Sequence, residues 1–156
     1  MAAALMPLKI WIKDLFVLLL SMVPIAENRL AIPVAAALRL KWQQAFLCTT
    51  AGSFLPVPYV MKNSGPLADR ARRVGAVGRG LGRIEDFSKK HPGLFRGGSA
   101  FILAVFVGIP FTGIGVWIAS FVAGALGFDR RSSMAAILAG TIISGLFTTA
   151  CTYGVI

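Results

Sequence analysis

The sequence predicts an all-α integral membrane protein, built as an inverted repeat of a re-entrant helical hairpin followed by a transmembrane helix. Three observations predict it. The 156 residues are 56% hydrophobic and only 14% charged, with a mean hydropathy of +0.76, against roughly 25% charged residues in ordinary soluble domains. Two apolar stretches, from about Asp14 to Leu40 and from Gly98 to Phe128, are each broken near the middle. Each is too long for one crossing and too short for two, since one crossing takes about 20 residues.

The first thirteen residues read as an interfacial helix, with Trp11 and two lysines, Lys9 and Lys13, suited to the headgroup layer. They do not read as a cleaved leader, because Pro-Ile-Ala before Glu27 is a poor cleavage site and apolar character resumes at Leu30. The stretch from Asp14 to Leu40 contains Glu27 and Arg29, with Pro24 and Pro33 on either side. Either charge in hydrocarbon costs roughly 2.5–3.5 kcal/mol, and proline breaks a helix. Two half-length helices over 14–24 and 30–40 would each reach about 16 Å, half of a core about 30 Å thick. The spacing therefore predicts a hairpin with an unwound tip at Glu27–Arg29. Residues 41–61 are enough for one crossing, kinked at its far end by Pro56 and Pro58.

Residues 62–97 are basic, with Arg70, Arg72, Arg73, Arg79, Arg83 and Arg96 among the cations, and read as a connector. An amphipathic surface helix within it is weakened by Gly75, Gly78, Gly80 and Gly82. No Gly-Lys-Ser/Thr follows these glycines, so no phosphate loop is read from them. Residues 98–128 form the second hairpin, with a tip at Pro110-Phe111-Thr112-Gly113-Ile114-Gly115, and residues 133–156 a final crossing. Ala136, Gly140, Ser144 and Gly145 would let this last helix pack closely, either inside the chain or against another copy.

One domain covers 1–156: repeat one over 8–61, the connector over 62–97 and repeat two over 98–156. Pro24 aligns without gaps on Pro110, and Ala35–Leu38 on Phe121–Gly124. A hairpin returns to its own side and the next helix crosses once, so the second half enters inverted, an arrangement found in transporters. The net charge of +10 then serves topology and anionic lipid, not nucleic acid. It puts the connector and Arg130-Arg131 in the cytoplasm. Cys48 and Cys151 read as small buried residues, with no metal-ligand spacing around them. No cofactor is expected. Glu27 lacks a second acid or a serine–histidine pair, so no enzyme activity is expected either.

The stretch Glu27-Asn28-Arg29-Leu30-Ala31-Ile32-Pro33 resembles the Glu-x-Arg-x-Ala-Ile-Pro motif of the small multidrug export family. Ile109-Pro110-Phe111-Thr112-Gly113-Ile114-Gly115-Val116-Trp117 resembles its second signature, with Thr112 and Ile114 standing where proline and threonine are usual. That family is similar to the DedA-like, SNARE-associated membrane proteins. The resemblance implies a DedA-like fold and a bacterial transporter in the cytoplasmic membrane, multi-pass and bathed in membrane lipid. Its substrate would be amphipathic, first of all a phosphate-bearing lipid such as a polyprenyl phosphate or phospholipid, moved with proton coupling. A small multidrug exporter is the alternative, and a holin-like pore the alternative of another class. The expected substrate contacts are Glu27, Arg29, Pro33, Pro110, Thr112, Gly113, Gly115 and Trp117. Arg29 would meet the anionic headgroup and Glu27 would carry the proton. The competing reading makes Glu27 and Arg29 a buried pair that pins the hairpin. A homodimer is expected, because two spanning helices cannot shield two broken hairpins on every side.

Overall fold

The computed structural model describes residues 2–73, 99–109 and 115–154, and singly 79, 82, 83, 86 and 90. Its regular structure among these residues is entirely helical. Helix α1 runs Ala2–Ser21, α2 Glu27–Ala37, α3 Trp42–Phe54, α4 Val57–Arg72, α5 Ser99–Gly108, α6 Gly115–Ala125 and α7 Arg130–Tyr153. The second tip, 110–114, and most of the basic connector, His91 included, lie outside the described residues.

Beside a buried apolar core, the helices bury many small and hydroxyl residues and turn many large apolar side chains outward. On α7 the buried face carries Ser133, Ala136, Gly140, Thr141, Ser144, Gly145 and Thr149, while Ile142, Ile143, Leu146 and Phe147 are exposed. On α3 Thr49, Thr50, Gly52 and Ser53 are buried and Leu47 is exposed. On α1 Trp11, Ile12, Leu15, Phe16 and Leu19 are exposed, around a buried Val17. Small residues at helix contacts and large aliphatics outside are what lipid selects, since hydrocarbon gives Leu no reason to turn inward. Helix α7 has 24 residues and is long and apolar enough to cross a membrane. These features are those of a membrane protein.

Close helix approach depends on glycine at particular contacts. A Cβ on Gly140 would lie 2.6 Å from the Ala104 carbonyl oxygen and 2.8 Å from Val107 Cβ, so α7 lies almost on the α5 backbone. On Gly52 it would strike Ser21 Oγ and the Leu18 carbonyl, which brings α3 equally close to α1. On Gly124 it would strike Ser64 Oγ, joining α6 to α4. The small-residue stripe of α7 is thus internal packing: Gly140 faces α5, and Gly145 faces Asn28, Phe46 and Thr50. Two apolar clusters result. Val17, Ala31, Ala35, Leu40 and Ala45 join α1, α2 and α3. Val57, Met61, Leu103, Val107, Val116, Ala123 and Ile137 join α4 to α7.

Three expectations are corrected. The interfacial helix and the first half-helix are one element, α1, and α2 begins at Glu27 instead of residue 30. The turn at 22–26 nucleates α2 directly, because the Leu30 N–H already bonds to the Ala26 carbonyl. The single kinked crossing over 41–61 is two helices. Helix α3 ends before Pro56, and α4 runs on past the composition boundary to Arg72, burying Ser64 and Ala68. Pro56 and Pro58 have no N–H to bond the Gly52 and Phe54 carbonyls, and the helix breaks there although Leu55 itself keeps helical geometry. Finally, Cys151 is exposed and Cys48 half-buried, since Cys151 falls outside the packed stripe of α7.

Candidate functional site

The site lies where the first break meets the second. Between α1 and α2 the chain turns on local bonds: the Val23 carbonyl accepts the N–H groups of Ala26 at 3.1 Å and Glu27 at 3.0 Å. Glu27 then takes φ +38, a left-handed value that costs a non-glycine residue of order 1–3 kcal/mol and clusters at functional sites. Glu27 and Asn28 are both 1% exposed. The three residues from Glu27 to Arg29 form the first turn of α2, so the unwound tip expected there is helical.

Each of the three side chains crosses to the second half of the chain. A Glu27 carboxylate oxygen accepts the Val116 N–H at 3.1 Å, in the first turn of α6. Arg29 donates to the Ile109 carbonyl at 2.8 Å and the Val107 carbonyl at 3.5 Å, at the end of α5. Asn28 Nδ2 donates to the Thr141 carbonyl at 3.0 Å, within α7. The first motif therefore holds both shores of the second break, with an anion at a helix N-terminus and a cation at a helix C-terminus. Each placement complements the helix dipole, by up to about 2 kcal/mol where partly buried. It also satisfies backbone groups that a broken helix leaves open. Thr141 is the twelfth residue of the 24 in α7, so the start of α2 is level with the middle of the helix long enough to span. The adjoining Ala31 and Ile32 are fully buried, which gives the Ala-Ile of the motif a packing role.

The other expected residues divide. Gly115 is buried as the first residue of α6, next to Val116. Trp117 is half-buried, and its indole N–H finds no partner among the described residues. Pro33 lies on the exposed face of α2, away from the Glu27 contacts. Pro110, Thr112 and Gly113 lie outside the described residues. Sequence reasoning missed a groove of about 380 Å³ lined by Pro24, Tyr59, Val60, Asn63, Trp117, Ile118 and Phe121. It runs from the first break to the faces of α4 and α6. Trp117, an expected substrate contact, lies in it; Tyr59 and Asn63, four apart on α4, join it because the chain breaks between α3 and α4. Among the described residues no group of His, Cys, Asp and Glu could hold a metal ion.

A family model described as "Putative small multi-drug export protein" matches residues 27–147. The chain belongs to that family. The match opens on Glu27 and reaches Phe147, so it takes in the charged turn, the groove lining except Pro24, and most of α7. No curated protein and no solved structure matches. The family is one of membrane export proteins and not of enzymes. Its description agrees with the drug-export alternative in the sequence reading and says nothing of lipid.

Proposed function

We propose that this exporter takes apolar or amphipathic small organic molecules out of the bilayer through the groove between α4 and α6. The observation that carries this reading is the lining: seven residues, none charged, three of them aromatic (Tyr59, Trp117 and Phe121), presenting an almost wholly apolar surface. Such a lining fits an apolar body, since ligand sites are predominantly apolar. It favours this class over a phosphate-bearing lipid, whose headgroup would need a cation. Arg29 is engaged with the α5 carbonyls, so it would meet a headgroup only by leaving them.

The accompanying architecture is part of the same proposal. Helices α1–α2 and α5–α6 form two re-entrant hairpins, related as an inverted, DedA-like repeat. Its support is matched packing: α1 lies on α3 as α5 lies on α7, and α2 reaches α7 as α6 reaches α4. The chain sits as a homodimer in the cytoplasmic membrane of a bacterium, with the basic connector inside. Glu27 and Val116 adjoin the groove through Pro24 and Trp117. Movement of the first hairpin tip would therefore be felt at the bound molecule.

Proteoliposomes loaded with N-phenyl-1-naphthylamine, a neutral lipophilic dye, test this. Saturable dye efflux that falls in Trp117→Ala and Phe121→Ala is expected. Flux of a polyprenyl phosphate with no saturable dye efflux would restore the lipid reading. Unselective leakage of a large hydrophilic dye would make the protein a pore.

A further inference from the structure

The turn between α1 and α2 is exposed at a depth where lipid offers its backbone nothing to bond. Asn28 reaches Thr141, the twelfth residue of the 24 in α7, so residues 22–26, just before Glu27, lie inside the hydrocarbon. Around the turn the carbonyls of Leu19, Leu20, Val23 and Ala26 accept N–H groups, and the Ser21 carbonyl accepts the Ser53 hydroxyl. Among the described residues, no bond engages the Ile25 N–H or the carbonyls of Pro24 and Ile25. Val23, Pro24 and Ile25 are all exposed, Ile25 by 74%.

Irregular backbone does not face lipid at such depth; it is buried in protein or lines a water-filled cavity. Water does not suit this patch. The groove that Pro24 enters is almost wholly apolar, whereas an ordered water needs several polar partners. Protein is the cover that remains, and the same surface carries a matching donor. Tyr59 lines the groove together with Pro24 and is 73% exposed. Its phenol makes no hydrogen bond among the described residues, although a phenol held in an apolar setting usually finds one. One patch thus offers both unpaired acceptors and an unpaired donor. A patch that complements itself is what a two-fold contact between copies requires, because residue i meets j and j meets i.

We propose that a second copy of the chain covers this patch by a two-fold contact, the Tyr59 phenol of each copy donating to the Pro24 or Ile25 carbonyl of the other. The inference rests on the homodimer of the proposed function and names its face. Each groove is then walled in part by the other copy. Pro24 and Tyr59 lie at the contact, while Ile118 and Phe121 on α6 keep an opening to the bilayer. Glu27 follows Ile25 by two residues and holds the start of α6, so the contact also joins the charged turns of the two copies.

Photo-crosslinking of the full chain in membranes tests this, with p-benzoylphenylalanine in place of Ile25. Illumination should give a covalent dimer on a denaturing gel, and mass spectrometry should map the joined peptide to residues 59–63. The same probe in place of Tyr59 should join residues 23–25 of the other copy. In place of Phe101, 73% exposed on α5, it should give lipid adducts and no dimer. Should one variant fail to fold, the other decides alone. Adducts at Ile25 and Tyr59 to lipid only, within one chain, to a different protein or to another face of the second copy overturn the proposal, as does the absence of any adduct. Saturable dye efflux without the cross-link would remove this interface and leave the export reading standing; the cross-link without efflux would do the reverse.

Discussion

Replacing Gly140 with alanine adds one carbon where α7 crosses α5. That carbon would lie 2.6 Å from the Ala104 carbonyl oxygen, 2.8 Å from Val107 Cβ and 3.1 Å from the Gly108 nitrogen. Two of the three are backbone atoms, so no side-chain rotation relieves the clash and α5 must back away by the better part of an ångström. Overpacking of this kind costs about 1–3 kcal/mol. The displacement also acts at a distance, because Val107 and Ile109 supply the carbonyls that Arg29 holds. Gly108 is the control. Its added carbon would meet Ile143 at 3.8 Å and Gly140 at 3.9 Å, which is ordinary contact, so Gly108→Ala should be neutral. Both variants are compared by thermal unfolding in one mild detergent. Gly140→Ala should melt well below the parent and Gly108→Ala with it. Equal melting of all three, or a Gly108→Ala variant as weak as Gly140→Ala, would refute the idea that backbone approach of α7 to α5 sets the position of the second break.

Glu27→Gln keeps an oxygen to accept the Val116 N–H and should cost about 1 kcal/mol, whereas Glu27→Ala abandons a buried donor and should cost about 1–3 kcal/mol; equal losses in a melting assay would mean the bond to α6 is not what Glu27 contributes. Asp129 caps α7 by accepting the Ser132 N–H at 2.8 Å, so Asp129→Ala should destabilise by about 1 kcal/mol and Asp129→Asn by less, read from the same unfolding curves. For orientation, Arg79→Cys in a chain lacking Cys48 and Cys151 should react with a membrane-impermeant maleimide only after cells are opened. Labelling in intact cells would place the connector outside.

Much of this molecule is written in its order of residues. The apolar excess, the prolines and the lengths of the broken stretches depend only on what neighbours in the chain can do: proline stops a helix wherever it stands, and hydrocarbon fixes how many residues a crossing takes. The second half was accordingly legible, with α5, α6 and α7 close to their expected places. Boundaries failed where local signals were weak against packing. Helix α4 continues through the polar residues after Met61, where Ser64 packs on Gly124 of α6, a contact that composition does not encode. The charged turn shows the same division. That Glu27 and Arg29 needed partners followed from their cost in lipid. Which partners they take depends on groups 89 and 80 residues further along the chain, brought within reach because Gly52, Gly124 and Gly140 let the helices approach to backbone contact. The small-residue stripe of α7 likewise permitted either an internal seam or a contact between copies. Only the tertiary packing, with α2, α3 and α5 all laid against that one face, decided that the stripe closes the core of the chain.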